Sequence, residues 1–359
     1  MNSKWAKKHG IFQRQGRAED KICDMLDHDL EYAWKSWAQK EEYKRLAIAL
    51  YVHDSEYSAL LKTEPLMRHS ASKLPIMCAK DLWEAPSAHE WGKSLLKASQ
   101  NATNTPNLPT SELCNPLTSI LKNPNRMMQD TFGIYCELEV IAASITEARE
   151  LHSWPSASSQ LEATLLQLYE DRLKSTVDGA NSLLCLEILW HFLFISLHAD
   201  LNLLEICTGR DGYEESQQHL NYAKSWAASL DGRRCALHGA LILRKSGRIS
   251  VSATTAIHLP RVLFNTALVW YWYTELGHEE PVEAQGSVDE FLEFKMLGLD
   301  CKTLLFEAHG FKLARPKKME SSTLYDLVDL LRRQGSWTIS RKLASLMSLI
   351  IHGEADPES

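Results

Sequence analysis

The 359-residue sequence lacks the motifs that identify the common enzyme and metal-site classes. Its eight cysteines stand singly, without a C-x-x-C pair, so neither a zinc finger nor a dithiol redox centre is indicated. A G-x-S-x-G elbow, a P-loop, a G-x-G-x-x-G fingerprint and an acidic metal-binding cluster are also absent. We therefore expect no metal and no cofactor. Because no signal peptide is recognised, we expect reduced and mostly buried thiols.

The sequence is also poor in basic charge. It carries 39 Lys and Arg residues against 46 Asp and Glu residues, a formal net charge of −7. Affinity for nucleic acid comes mainly from Lys and Arg side chains that displace counterions, so this balance argues against direct DNA binding. We expect an intracellular protein of the nucleus or cytoplasm.

Long uninterrupted apolar runs are missing too. The most apolar stretch, residues 183–207, is interrupted every turn or two by a carboxylate or a histidine. A charge at the centre of a bilayer costs roughly 2.5–3.5 kcal/mol on insertion scales. We therefore expect no membrane span and predict a central helix that is buried on all sides.

The pattern that is present is helical. Apolar residues recur every three to four positions, and the alternation typical of strands is almost absent. The sequence predicts an all-α fold, a single large multi-helix domain over residues 1–359. Surface loops are predicted near 99–116 and near 153–160, where Ser, Thr, Asn and Pro are frequent. The predicted helices are 20–61 with a break near Trp34, 88–98, 127–151, 161–178, an unbroken 182–207, 214–229, 233–243, 259–276, 288–309, 323–334 and 339–351.

Aromatic and charged residues form a dense ordered pattern between residues 34 and 91. The pattern runs through Trp34 and Trp37, Glu41 with Lys44 and Arg45, Asp54, Pro65, Leu74-Pro75, Cys78 and the stretch from Leu82 to Ala88. Its order and spacing resemble the fungal-specific transcription-factor domain, also called the middle homology region. Looser matches continue as far as residue 271, so the resemblance extends over most of the chain.

The resemblance implies the all-helical body of a regulator, but the sequence departs from the family in two ways. The family normally carries a DNA-reading module upstream, and no cysteine and histidine spacing for such a module is found here. The resemblance also leads us to expect that the sequence begins inside the domain, without the family's opening helices. We therefore expect no sequence-specific DNA binding by this chain alone. The face left by the missing helices could support a homodimer.

Four histidines lie in otherwise apolar stretches: His191, His198, His238 and His258. His191 and His198 are seven residues apart and share one helical face. Such a pair could supply two zinc ligands, but no third ligand is indicated and the HExxH order is absent. The first interpretation is core histidines that hydrogen-bond carboxylates or carbonyls. The second is histidines that face an internal cavity as ligand contacts or proton donors.

Two further groups of residues are candidates for a site or for structure. Trp270 and Tyr273 share a helical face, and they form either a core stripe or the wall of a ligand cavity. Arg45 and Asp54 are predicted to form a buried structural ion pair that holds two helices in register, with a role in ligand recognition as the alternative.

Two functions from different classes remain open. The first is a stand-alone regulatory domain that binds a small apolar molecule or another regulatory protein. The alternative is an enzyme of secondary metabolism on the same scaffold, a cofactor-independent cyclase that runs a cycloaddition or rearrangement by holding a reactive conformer. A truncated gene product without independent function is the third interpretation.

Overall fold

The computed structural model describes residues 27–67, 74–75, 77–102, 131–150, 154–176, 184–250, 255–276, 291–301, 304, 322–334 and 337–352. These residues form helices and connecting turns, without a β-strand among them. The predicted all-α fold is confirmed. The chain divides into two compact units, residues 1–154 and 155–359. The prediction of a single domain over the whole chain stays a prediction.

The first unit is organised around one long helix. It contains α1 (Asp27–Leu61), α2 (Lys80–Trp83), α3 (Ala88–Ala102) and α4 (Thr131–Glu150). Helix α1 is continuous, so the predicted break near Trp34 is wrong. Its 35 residues include neither Gly nor Pro, the residues that most often kink a helix. The rings of Trp37 on α1 and Trp91 on α3 pack with their centroids 5.3 Å apart.

The described parts of both predicted surface loops are helical. Helix α3 extends to Ala102, and the predicted loop from 103 to 116 lies outside the described residues. Helix α5 (Trp154–Leu168) occupies most of the predicted 153–160 loop. Pro at its second position is compatible with a first turn, where backbone N–H groups have no helical partner. The guanidinium of Arg149 also lies 3.9 Å from the centre of the Trp154 ring.

The second unit contains the remaining helices. A short π-helical turn, Tyr169–Leu173, and α6 (Lys174–Thr176) follow α5. The others are α7 (Leu186–His198), α8 (Leu201–Ile206), α9 (Tyr213–Ala227), α10 (Leu230–Ser246), α11 (Leu259–Glu275), α12 (Leu292–Met296), α13 (Ser322–Arg333) and α14 (Thr338–His352).

Residues 184–207 of this stretch contain a largely buried helix, α7, but the helix ends at His198 and does not continue to residue 207. Nearly every side chain of α7 is buried. The backbone then turns extended at Ala199, and Asp200 caps α8 by accepting the N–H groups of Asn202 and Leu203, each at 3.1 Å. A carboxylate at an N-cap satisfies helix donors that a continuous helix would not expose. Among the described residues, no helix combines the length and apolarity that a membrane crossing requires.

The predicted helix 288–309 is also shorter than expected. Helix α12 has five residues, and the chain leaves it through a turn in which Gly298 has a φ of +65°. This left-handed backbone is readily adopted by glycine and ends the helix. Residues 288–290, 302–303 and 305–309 of the predicted helix lie outside the described residues.

Tryptophan side chains form hydrogen bonds between segments of the second unit. Each of four indole N–H groups donates to a backbone carbonyl more than twenty residues away in sequence. The pairs are Trp190 to Leu165 (3.0 Å), Trp226 to His198 (2.8 Å), Trp272 to Leu204 (2.8 Å) and Trp337 to Thr255 (3.0 Å). A buried indole contributes a large apolar area and needs a partner for its single donor, so these bonds fix where the helices meet.

Candidate functional site

The packing of α7 against α10 brings two of the predicted histidines into contact. Nδ1 of His191 lies 3.1 Å from Nδ1 of His238. Nε2 of His238 lies 3.3 Å from a carboxylate oxygen of Glu293 on α12. All three side chains are almost completely buried. A buried carboxylate without partners is costly, so the surroundings of Glu293 decide whether this arrangement is stable.

Arg234, one helical turn before His238 on α10, supplies the main partner of Glu293. Its Nε donates to one oxygen of Glu293 at 2.6 Å, and its Nη2 donates to the other at 2.7 Å. The same Nη2 donates to Glu162 of α5 at 2.5 Å. Two parallel N–H···O bonds form the geometry in which arginine binds carboxylates most specifically. One guanidinium thus joins two carboxylates from different parts of the chain.

Aromatic rings surround these charges. Phe194 of α7 stacks on the His238 ring, with centroids 4.8 Å apart and planes only 8° from parallel. Phe291 lies 5.1 Å from the Arg234 guanidinium, and the Phe294 ring lies 4.8 Å from that of His238. Apolar walls strengthen the electrostatic attraction between the groups that they enclose.

Burial and hydrogen bonding set the protonation states of Glu293, His238 and His191. Burial alone raises the pKa of Glu293, but hydrogen bonds from His238 and Arg234 lower it to about 2. Burial lowers the pKa of His238 to about 4, and burial together with the nearby His238 lowers that of His191 well below its ordinary value. Both imidazoles are therefore neutral at physiological pH. His238 then carries its proton on Nε2 to donate to Glu293, and its Nδ1 accepts the Nδ1–H of His191.

His198, the third predicted histidine, joins the edge of the same network. Its Nδ1 lies 2.9 Å from Asp231 of α10, and its Nε2 lies 3.8 Å from Glu162. The prediction that His191 and His198 share a face agrees with these contacts, because both histidines reach α10. Their predicted role as ligand contacts stays a prediction.

In the first unit, the residues of the 34–91 pattern hold the chain that follows α1. Glu41 accepts the backbone N–H of Cys78 at 2.6 Å, and Asp54 accepts that of Met67 at 2.8 Å. The carboxylates of one helix therefore hold the returning segment at two points. Burial and the nearby Glu41 raise the pKa of the Cys78 thiol to about 12, so this cysteine stays protonated.

In place of the predicted Arg45–Asp54 ion pair, the structure gives each residue another partner. Nε of Arg45 lies 3.8 Å from Glu41, and its guanidinium lies 4.4 Å from the centre of the Trp83 ring. Arg45 and Asp54 are nine residues apart on the continuous helix α1. At about 100° and 1.5 Å per residue they point in opposite directions, so they do not bridge two helices.

Comparison with known proteins decides the family. The fungal specific transcription factor domain matches residues 4–187, which is half of the chain. The chain belongs to this family. No DNA-binding family matches within the 359 residues. The match ends at the second residue of α7, so Arg234, His238 and Glu293 lie beyond it.

Two curated proteins show local similarity to the chain. Zinc finger protein klf1 of Schizosaccharomyces pombe is 33% identical over 61 residues, 17% of this chain and 8% of that protein. The nicotinate catabolism cluster-specific transcription factor of Emericella nidulans is 31% identical over 74 residues, 21% of this chain and 9% of that protein. The chain thus spans less than a tenth of either relative. No solved structure matches it.

The other three predicted site residues, His258, Trp270 and Tyr273, lie at or near α11. His258 is buried immediately before the helix. The rings of Trp270 and Tyr273 pack edge to face, with centroids 6.1 Å apart. Trp270 lies against Gly239 of α10, where a Cβ atom would come within 2.5 Å of the indole nitrogen. Trp270 is therefore a packing residue between two helices, and the cavity that it was predicted to line stays a prediction.

Four residues of the network were not predicted from the sequence: Glu162, Asp231, Arg234 and Glu293. The strongest signal was Glu293, a carboxylate between Phe291 and Phe294. A charge flanked by large apolar residues often lies at the core edge with a partner, but the sequence does not identify that partner. Only the fold brings Arg234 to it from 59 residues away.

Proposed function

We propose that this chain is the signal-receiving body of a transcriptional regulator. It acts through other regulatory proteins, and a small molecule or partner controls it. The observation that carries this proposal is the family match over residues 4–187. The net charge of −7 supports a role that does not depend on contact with the DNA backbone.

The local relatives support the same class of function. The first is named as a zinc finger protein, and the second is named as a transcription factor specific to a nicotinate catabolism cluster. The shared segments are short, so we carry over only the general role in transcription. The signal itself is inferred from the site in the second unit.

A tethering experiment tests the proposal. The chain is fused to a heterologous DNA-binding module, and transcription is measured from a reporter that carries the module's site. We expect the fusion to raise or lower transcription relative to the module alone at equal protein level. The chain expressed without the module is the control and should leave the reporter unchanged. A fusion indistinguishable from the bare module would contradict the proposal.

A mobility-shift measurement tests whether the chain itself binds DNA. The purified 359-residue chain should not retard promoter DNA above the level of a random duplex at physiological salt. Specific retardation would show that the chain reads DNA itself.

The alternative of a cofactor-independent cyclase stays a prediction, which product formation from pathway intermediates would test.

A further inference from the structure

The Arg234 side chain holds Glu293 in the way that proteins hold a carboxylate ligand. Its Nε and Nη2 contact the two carboxylate oxygens at 2.6 and 2.7 Å, and His238 adds a third donor at 3.3 Å. The pair is buried, so water does not compete for the bonds. This is a complete carboxylate site, and a residue of the same chain occupies it.

The segment that delivers Glu293 has the chemistry of an aromatic acid. Glu293 lies on a five-residue helix between Phe291 and Phe294, which contact Arg234 and His238. The carboxylate and the two rings therefore lie together against Arg234 and His238. The receiving residues, Arg234, His238 and Phe194, belong to the longer helices α7 and α10.

Departure of Glu293 would not leave Arg234 without a counter-charge. The Nη2 group also donates to Glu162 at 2.5 Å, and this contact is independent of α12. Removal of one partner of a buried pair is costly mainly because the other charge is left uncompensated. The second carboxylate reduces this cost. An incoming carboxylate would restore the original count of charges.

We propose that Glu293 is an internal pseudo-ligand, and that Arg234, His238 and Phe194 form a binding site for a small aromatic carboxylate that displaces it. The proposal deepens the proposed function, on which it rests for its biological meaning, because the exchange would be how the regulator receives its signal. Movement of α12 is the structural change that the exchange produces.

Binding of benzoate to the full chain tests the site, with the neutral benzamide as its matched analogue. We expect benzoate, and not benzamide, to raise the Tm of the wild-type protein as its concentration increases. Glu293→Gln removes the charge of the competitor and should tighten benzoate binding by about tenfold or more, since an ionised acceptor bonds an arginine about twice as strongly as a neutral one.

Two further variants test whether benzoate binds at the Arg234 site. Glu187→Gln removes a carboxylate that is ion-paired with Lys245 in the same unit, and it should bind benzoate like the wild type. Arg234→Lys keeps the charge but loses the two-pronged contact. In the Glu293→Gln background, where the internal carboxylate no longer competes, it should weaken benzoate binding at least about tenfold. Equal binding by Glu293→Gln and Glu187→Gln, or unchanged binding when Arg234→Lys is added to Glu293→Gln, would overturn the proposal.

The outcomes remain decisive if Glu293→Gln does not fold. The wild-type titration then decides, because a Tm rise with benzoate and none with benzamide supports the site, whereas equal effects of the two compounds overturn it. Failure here is distinguishable from failure of the proposed function. A tethered chain that changes transcription but shows no benzoate-specific binding refutes the site alone.

Discussion

At the scale of single residues, three buried side chains of the second unit share an electrostatic condition. His191, His238 and Glu293 all have pKa values below their ordinary ones. The charged groups that face the two imidazoles are Glu293 and Arg234, with His198, Lys245 and Arg244 farther out. The unfolded chain therefore binds protons more readily than the folded chain, so protons favour unfolding.

This condition predicts acid sensitivity. The contribution of His238 is fully present above pH 6.5 and is lost as pH falls toward about 4, and that of Glu293 is lost between about 4.5 and 2. We expect a lower free energy of unfolding at pH 5 than at pH 7 in denaturant titrations. His238→Gln should reduce the difference between the two pH values. Equal stability of the wild type at both would contradict the assigned protonation states.

Gly239 shows what a single missing Cβ atom allows. In Gly239→Ala the new methyl group would lie 2.5 Å from Nε1 and 2.9 Å from Cδ1 of Trp270, so α10 and α11 must move apart. We expect a loss of about 1–3 kcal/mol in the free energy of unfolding.

Gly92→Ala is the matched control, because its Cβ would meet only Leu30 side-chain atoms at 3.6 Å. Alanine in a helix should there be neutral or stabilising by up to about 1 kcal/mol. The same loss in both variants would show that the Trp270 contact does not decide the effect.

At the scale of elements, helical periodicity predicted which segments are helices better than where they end. The heavily apolar stretch 183–207 gave no sign of its break, because Asp200 interrupts the pattern no more than Glu187 does. The difference is tertiary: Asp200 caps α8, and its backbone N–H donates to the Tyr222 hydroxyl at 2.6 Å. Predictions from composition failed at 153–160, where Ser and Pro begin a helix instead of forming a loop.

The contact of α1 with the segment after it yields a prediction for the first unit. In Glu41→Gln the half-buried Cys78 N–H loses a carboxylate acceptor, so we expect a destabilisation of about 1–3 kcal/mol in urea unfolding. Glu42→Gln changes the exposed neighbouring residue and should stay within about 0.5 kcal/mol of the wild type. Equal effects of the two substitutions would mean that the Glu41 contact does not stabilise the unit.

At the scale of the whole molecule, the sequence predicted the family and part of the candidate site. The family was predicted mainly from the ordered residues between 34 and 91, and some of these residues make structural contacts, such as Glu41 with Cys78. His191 and His238 were recognised as polar residues on apolar faces. Their partners Arg234 and Glu293 were not, because residues 59 apart in sequence meet only through the packing of α10 and α12.

The most direct measurement of the central claim, that this helical body regulates transcription when it is brought to DNA, is reporter output from the tethered chain. The account predicts that the wild-type fusion changes transcription relative to the bare DNA-binding module, and that Arg234→Lys at equal protein level changes the size of that response. Reporter output identical for the wild-type fusion and the bare module would contradict the account.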